Sequence, residues 1–163
     1  MKIVILAGGL GTRLMEETGV IPKPMVEIGG KPILWHIMKI YQAYGFNEFI
    51  VCLGYKAEII KKYFLNYHLL NSDFTINTSL NKVELISPAV DNFKVTLVDT
   101  GEFTNTAGRI ARIRPFVQGE KFMLTYGDGL SNINIDKLVS YHNSHGKSLT
   151  LSGVKPAGRF GEI

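Results

Sequence analysis

The sequence has a single cysteine, a single tryptophan and no long apolar run. With one thiol there is no disulfide within the chain, and Cys52 sits inside the apolar run Phe49 to Leu53. It therefore reads as a small core residue rather than a nucleophile or ligand. No stretch approaches the roughly 18 consecutive apolar residues of a membrane span, which argues against a membrane partner. The N-terminus lacks the charged, apolar and small-residue zones of a secretory signal, so a cytoplasmic location is expected. The 18 lysines and arginines are scattered and form no like-charge block. Nucleic acid is therefore not the expected partner, because its binders concentrate charge on one face and interleave stacking aromatics. A net charge of +4 suits small phosphate-bearing substrates instead.

Within those exclusions, 163 residues make one domain, long enough to bury roughly two thirds of its unfolded surface. The stretch that organises the rest is MKIVILAGGLGTRLMEETGVIPK, Met1 to Lys23. Ile3 to Ala7 are apolar and β-branched enough for a buried strand, after which Gly8, Gly9 and Gly11 strip the turn of side chains. A bare backbone approaches a phosphate closely, and successive N–H groups hold an anion in one concavity. Thr12 adds a hydroxyl donor and Arg13 a planar cationic fork. A glycine turn could instead serve only to pack the strand against the next helix. Arg13 and Lys23 favour the anion, since a packing turn has no use for two cations.

Two other phosphate motifs fail on spacing. A dinucleotide fingerprint needs G-x-G-x-x-G, but Leu14 stands where the last glycine belongs; a P-loop needs Lys then Ser or Thr after its last glycine, and Gly11 is followed by Thr12-Arg13. A nicotinamide-dependent oxidoreductase also lacks its acidic residue after the second strand, where Leu53-Gly54-Tyr55 stands.

Further along, Thr12 to Thr18 can start a short helix whose first N–H groups face the anion. Pro22 and Pro24 predict an extended strip holding Lys23, a second phosphate clamp if it is more than loop decoration. Gly29-Gly30 predicts a turn, and Pro32 introduces a helix over 33–44 with Ile33, Leu34, Ile37, Met38, Tyr41 and Tyr44 on its inner face. Trp35 and His36 lie off that stripe and read as a satisfied surface pair. A strand over 46–53 and a helix over 58–67 follow, giving β-α-β-α and a parallel arrangement. Residues 71–93 form a β-rich insert by their short alternation. Lys94 to Val98 predicts a buried strand, and a short helix over 109–117 broken by Pro115 turns Ile110, Ile113 and Phe116 inward. Arg109 stands in that helix's first turn, against the macrodipole. Phe122 to Thr125 predicts another buried strand running into Tyr126-Gly127-Asp128-Gly129. A carboxylate there lies where an open α/β sheet keeps its ligands, and Asp128 is the best candidate for a hard cation such as magnesium. The competing reading is a turn aspartate bonding its own backbone. An amphipathic helix over 135–145, with His142 and His145 as cap and packing residues, precedes a last strand over 149–154.

Taken together, Leu6-Ala7-Gly8-Gly9-Leu10-Gly11-Thr12-Arg13-Leu14, Pro22-Lys23-Pro24-Met25, the run Glu27 to His36, Thr96 to Gly101, Gly108-Arg109, Thr125 to Gly129 and Gly158-Arg159-Phe160-Gly161 resemble the sugar-nucleotide pyrophosphorylases, most nearly their glucose-1-phosphate cytidylyltransferase branch. The resemblance implies an α/β, Rossmann-like three-layer sandwich with a mostly parallel sheet, of the nucleotide-diphospho-sugar transferase type. It implies transfer from CTP to glucose 1-phosphate, giving CDP-glucose for polysaccharide synthesis, with Mg2+ as cofactor. The site it implies has Leu6, Ala7, Gly8 and Gly9 at base and ribose, Gly11, Thr12 and Arg13 at the outer phosphates, and Lys23 at the α-phosphate and leaving group. Asp128 would hold the metal beside Gly127, with Thr104 and Arg109 at the base edge. Arg13 and Lys23 are the catalytic candidates; no side-chain nucleophile is needed.

Ala107-Gly108 departs from the family's Gly-Gly before its arginine. Members of the family also continue beyond Gly161, so residues 1–163 are expected to be the nucleotide-binding part of a longer enzyme, incomplete at the C-terminus. A homo-oligomer is expected, because a sheet cut short exposes edges that a partner would cover. Thymidylyl, uridylyl or guanylyl transfer and a silent nucleotide-binding module are the alternatives.

Overall fold

The computed structural model describes residues 1–9, 21–87 and 91–153. The expected helix over 12–18, together with Gly11, Thr12 and Arg13, lies outside the described residues, as does the Gly158–Gly161 motif. The described chain divides into two compact units, Met1–Ser131 and Asn132–Ile163.

In the first unit, the strands β1 (Lys2–Leu6), β4 (Glu48–Leu53), β7 (Lys94–Asp99) and β8 (Phe122–Tyr126) form one parallel sheet in the order β7-β4-β1-β8. Numbered along the chain, these parallel strands run 3-2-1-4 across the sheet. The alternation of the pleat separates two apolar sets. Ile3, Ile5, Phe49, Val51 and Leu53 pack on one side against Leu34, Ile37 and Met38 of α1 (Ile33–Ala43) and Ile60 of α2 (Ala57–Leu65). Val4, Leu6, Ile50 and Cys52 pack on the other against Ile113 and Val117, which flank and end α5 (Arg114–Val117). Helices on both faces of a parallel sheet make the expected three-layer α/β sandwich.

Several expectations need correction. Lys23 is not on an extended strip: Lys23–Met25 form one 3-10 turn, closed by N–H of Met25 donating to the Pro22 carbonyl at 2.8 Å. Pro24 fits because that early position needs no donor, and Pro22, Pro24 and Met25 are buried. Gly29 and Gly30, with φ of +59° and +75°, join the two-residue strands β2 (Glu27–Ile28) and β3 (Lys31–Pro32) as a tight hairpin. Strand β7 is only half-buried, since it pairs on one side alone in the described sheet. The helix carrying Arg109, α4 (Thr106–Arg112), starts earlier than expected, with Asn105 capping it by accepting from the Gly108 N–H at 2.8 Å. Arg109 is therefore in its last turn, where a cation complements the macrodipole. Breaking the helix before Pro115 shifts the phase, so Val117 rather than Phe116 is buried.

The segment over 71–93 contains an antiparallel hairpin, β5 (Phe74–Asn77) with β6 (Lys82–Leu85), following the short α3 (Tyr67–Leu70). It is tied to α1 through Asp91, which accepts from Trp35 Nε1 at 3.0 Å, Tyr67 Oη at 2.6 Å and Lys39 Nζ at 2.6 Å. Burial works to raise the Asp91 carboxyl, but these three bonds outweigh it and hold it below its ordinary value. Trp35 and His36 are satisfied, as expected; His36 Nε2 meets the Ile28 carbonyl at 2.8 Å.

Alkaline titration tests this interior. Burial pushes the Cys52 thiol up to about 11, and burial with the Asp91 and Glu27 charges pushes Tyr63 up to about 12. Burial and the bond to Asp91 raise Tyr67 as well. The unfolded chain gives up these protons first, so the fold loses stability as pH rises from about 9 towards 12. The midpoint of urea unfolding should fall across that range, and Cys52 in the folded protein should resist alkylation near pH 8.

The second unit holds α6 (Ile135–His145), capped by Asn134, whose side chain accepts from the Lys137 N–H at 2.9 Å. His142 and His145 both meet Thr150 Oγ1, at 2.9 and 2.8 Å, in the packing role expected of them. The expected strand over 149–154 does not form over its described residues. No strand pairs with it there, and Leu151 is 81% exposed.

Candidate functional site

The order 3-2-1-4 puts a topological switch point between β1 and β8, and ligands of open α/β sheets bind outside the carboxyl ends of the strands at such a point. The carboxyl ends of β1 and β8, which a site needs, lie side by side there. The turn after β1 is fastened by the Ala7 N–H donating to the Cys52 carbonyl at 3.0 Å, and the turn after β8 by the Gly127 N–H donating to the Leu6 carbonyl at 2.9 Å. Gly127 is buried, and a Cβ there would stand 3.0 Å from the Leu6 oxygen, 3.1 Å from Pro24 Cγ and 3.4 Å from Ala7 Cβ. The turn after β1, the Lys23–Met25 turn and the turn after β8 thus meet around one glycine.

Lys23 Nζ lies 3.8 Å from Asp128 Oδ2, with the lysine side chain 20% and the aspartate side chain 44% exposed. At that separation the pair is loose, and both groups remain open to an anion and a cation respectively. Among the described residues no group of three or more His, Cys, Asp or Glu side chains could hold a metal ion. Asp128 could offer one hard oxygen to a cation such as magnesium, which uses one or two carboxylates and takes its other oxygens from phosphates and water.

Of the expected site residues, Leu6, Ala7, Gly8, Gly9, Lys23, Gly127 and Asp128 are gathered at this switch point; Gly11, Thr12 and Arg13 lie outside the described residues. Thr104 precedes α4, and its hydroxyl accepts from Arg112 Nη1 at 2.9 Å. Arg109 has a different surrounding from the nucleotide's base edge that the resemblance implies. It is 4% exposed, and its guanidinium donates to five protein oxygens: Nη1 to Leu53 O, Thr100 Oγ1 and Gly101 O at 2.9, 2.7 and 2.8 Å, and Nη2 to Gly8 O and Glu102 O at 2.7 and 3.1 Å. Burial draws its pKa below the ordinary arginine value. Thr100, fully buried, also donates its hydroxyl to the Leu53 oxygen at 2.6 Å. Sequence reasoning gave no role to Gly54 and Thr100; the signals available were their places just after β4 and β7 and, for Thr100, the Thr96 to Gly101 run.

The sequence matches the model of the nucleotidyl transferase family over residues 2–163. The chain belongs to that family. It is 53% identical, over its whole length, to a glucose-1-phosphate cytidylyltransferase of Salmonella typhimurium, and 50% identical to a probable glucose-1-phosphate cytidylyltransferase of Bacillus subtilis. This nucleotidyl transferase chain spans 64% of the length of each. Among solved structures it is similar to HddC from Yersinia pseudotuberculosis complexed with GMP-PN, at 30% identity and a TM-score of 0.65, covering 88% of this chain and 54% of that one. The fold is that of the nucleotide-diphospho-sugar transferases.

Proposed function

We propose that this nucleotidyl transferase chain is the nucleotide-binding part of an enzyme that joins glucose 1-phosphate to CTP, giving CDP-glucose and pyrophosphate. The observation that carries the proposal is the meeting of the Gly8-Gly9 turn, Lys23 and Asp128 at the switch point of the sheet. The choice of cytidine and glucose is supported by the 53% and 50% identical relatives that bear that name. In the reaction a phosphate oxygen of the sugar attacks the α-phosphorus of CTP, a new P–O bond forms, and the bond to the bridging oxygen breaks as pyrophosphate leaves. The protein contributes position and charge rather than a nucleophile.

Main-chain groups of Leu6 to Gly9 take the nucleoside side, with Thr104 near the base; Gly11, Thr12 and Arg13 take the outer phosphates. Lys23 neutralises charge gathering on the leaving group. Asp128, beside Gly127, would hold Mg2+, which when bound neutralises phosphate charge. The setting proposed is cytoplasmic polysaccharide synthesis and a homo-oligomer; among the described residues no helix is long and apolar enough to cross a membrane.

Calorimetric titration with CTP, GTP, UTP and dTTP, each with and without magnesium, tests the reading. CTP is expected to bind tightest and only weakly without the metal, and Asp128→Asn should weaken magnesium-CTP binding by about tenfold and abolish its dependence on magnesium. Tighter binding of another base would overturn the choice of cytidine, and no triphosphate binding would overturn the whole proposal. With glucose 1-phosphate added, the chain should release pyrophosphate far more slowly than a full-length relative; an equal rate would refute its assignment as a part.

A further inference from the structure

We propose that Arg112 is a positioning residue: it occupies a lone pair of the Thr104 hydroxyl and so leaves the hydroxyl proton for an acceptor atom of the nucleoside. The inference deepens the nucleotidyl-transfer reading and rests on it. Arg112 follows Arg109 by three residues on α4, and that spacing brings both guanidiniums to the loop after β7. Arg112 Nη1 donates to the Thr100 carbonyl at 2.6 Å and to Thr104 Oγ1 at 2.9 Å, and these two bonds use both hydrogens of that nitrogen. A guanidinium only donates, so in this pair the threonine oxygen accepts. The hydroxyl's own proton points away from the arginine and is left for another partner. That partner has to be an acceptor, and a base carbonyl oxygen or an unprotonated ring nitrogen meets the need.

The threonine is held in this pose from two sides. Gly101 has a φ of +82°, and a Cβ there would run into the Arg112 guanidinium and stand 2.7 Å from Thr104 Oγ1. On the other side, a Cβ at Gly108 would stand 2.7 Å from Thr104 Cγ2. With the hydroxyl lodged over Gly101 and the methyl over Gly108, a side chain branched at Cβ has one rotamer left. Within Ala107-Gly108, the glycine is thus the residue whose bareness the threonine methyl needs, while Ala107 is exposed. The loop is also tied to the turn after β1, because Arg109 donates to the Gly101 and Glu102 carbonyls as well as to that of Gly8.

Calorimetric binding of CTP and of inorganic pyrophosphate, each with magnesium, tests the inference. Arg112→Met and Thr104→Val should each weaken CTP about fivefold, the worth of one neutral hydrogen bond, and leave pyrophosphate unaltered. In the double variant the loss should stay at about fivefold, because without the hydroxyl the arginine has nothing to position. Multiplied losses in the double variant, an equal loss for pyrophosphate, or unaltered CTP binding in either single variant would each overturn the proposal. Gly108→Ala reaches the same hydroxyl without touching Arg112, and alanine suits the helix that glycine occupies, so folding is kept. It should also weaken CTP about fivefold, and adding Thr104→Ser, which drops the methyl and keeps the hydroxyl, should restore it. Failure of that rescue would overturn the pose on which the proposal stands. If the unsubstituted chain binds neither ligand, the nucleotidyl-transfer reading falls and takes this inference with it; if it binds both and Arg112→Met changes nothing, the inference alone falls.

Discussion

Lys23→Ala is expected to slow the proposed cytidylyl transfer by about 100-fold, with a smaller effect on binding of magnesium-CTP. The lysine is well placed for a role in turnover. Its stem is held by a buried 3-10 turn between Pro22 and Pro24, and its ammonium is 3.8 Å from Asp128 Oδ2. In the proposed reaction, a cation beside charge that grows as pyrophosphate departs stabilises the transition state more than the ground state, and removing one such group costs about 3 kcal/mol or more. The measurement is pyrophosphate release at saturating CTP, magnesium and glucose 1-phosphate, relative to the unsubstituted chain. The same loss is expected for Arg13→Ala. An unchanged rate in Lys23→Ala would remove Lys23 from the reaction, and an equal loss in binding and in rate would make it a binding group only.

Gly54→Ala is expected to destabilise the fold by about 3 kcal/mol, a fall of roughly 10 °C in Tm. A Cβ there would stand 2.6 Å from the Gly8 carbonyl oxygen and 2.6 Å from Arg109 Nη1. The arginine tip alone might be thought able to yield, but it is fixed by its five bonds, and the Gly8 oxygen is main chain. Relief therefore requires the loops after β1 and β4 to move apart, loosening the turn at the switch point. Gly153→Ala is the control, since no described atom lies within 4 Å of its Cβ position and its φ is not in the left-handed region; its effect should stay within about 0.5 kcal/mol. Thermal unfolding of the two variants under one buffer condition makes the comparison. Equal melting temperatures would show that the close approach at Gly54 carries no energetic weight.

Much of this fold is written in local pattern. The apolar runs at Ile3 to Ala7 and Phe49 to Leu53 and the helical stripe through Leu34, Ile37 and Met38 are legible because burial imposes periods of two and 3.6 on neighbouring residues. The order of strands across the sheet is not local, so the switch point became visible only when β8 was seen beside β1. Pairing is also what the run from Leu149 lacks: its composition suits a strand, but among its described residues there is no ladder to join. The Lys23 strip was misread because X-Pro preference for extended backbone is weaker than the burial of Pro22, Pro24 and Met25 that closes the turn. For the candidate site, glycine spacing and the Gly127-Asp128 step carried the location. Arg109 shows where such reading ends, since nothing in Gly108-Arg109 tells whether a guanidinium faces a ligand or the main chain.

The pairing of β1 also orders events during synthesis. Ile5 sits between Val51 on one side and Thr125 on the other, so β1 waits for β8, which is made much later, to complete its surroundings. Until the chain has grown past Asp128, the β1–β8 side of the proposed site does not exist. In the proposed site a triphosphate would therefore stabilise the sheet only once β8 has joined β1.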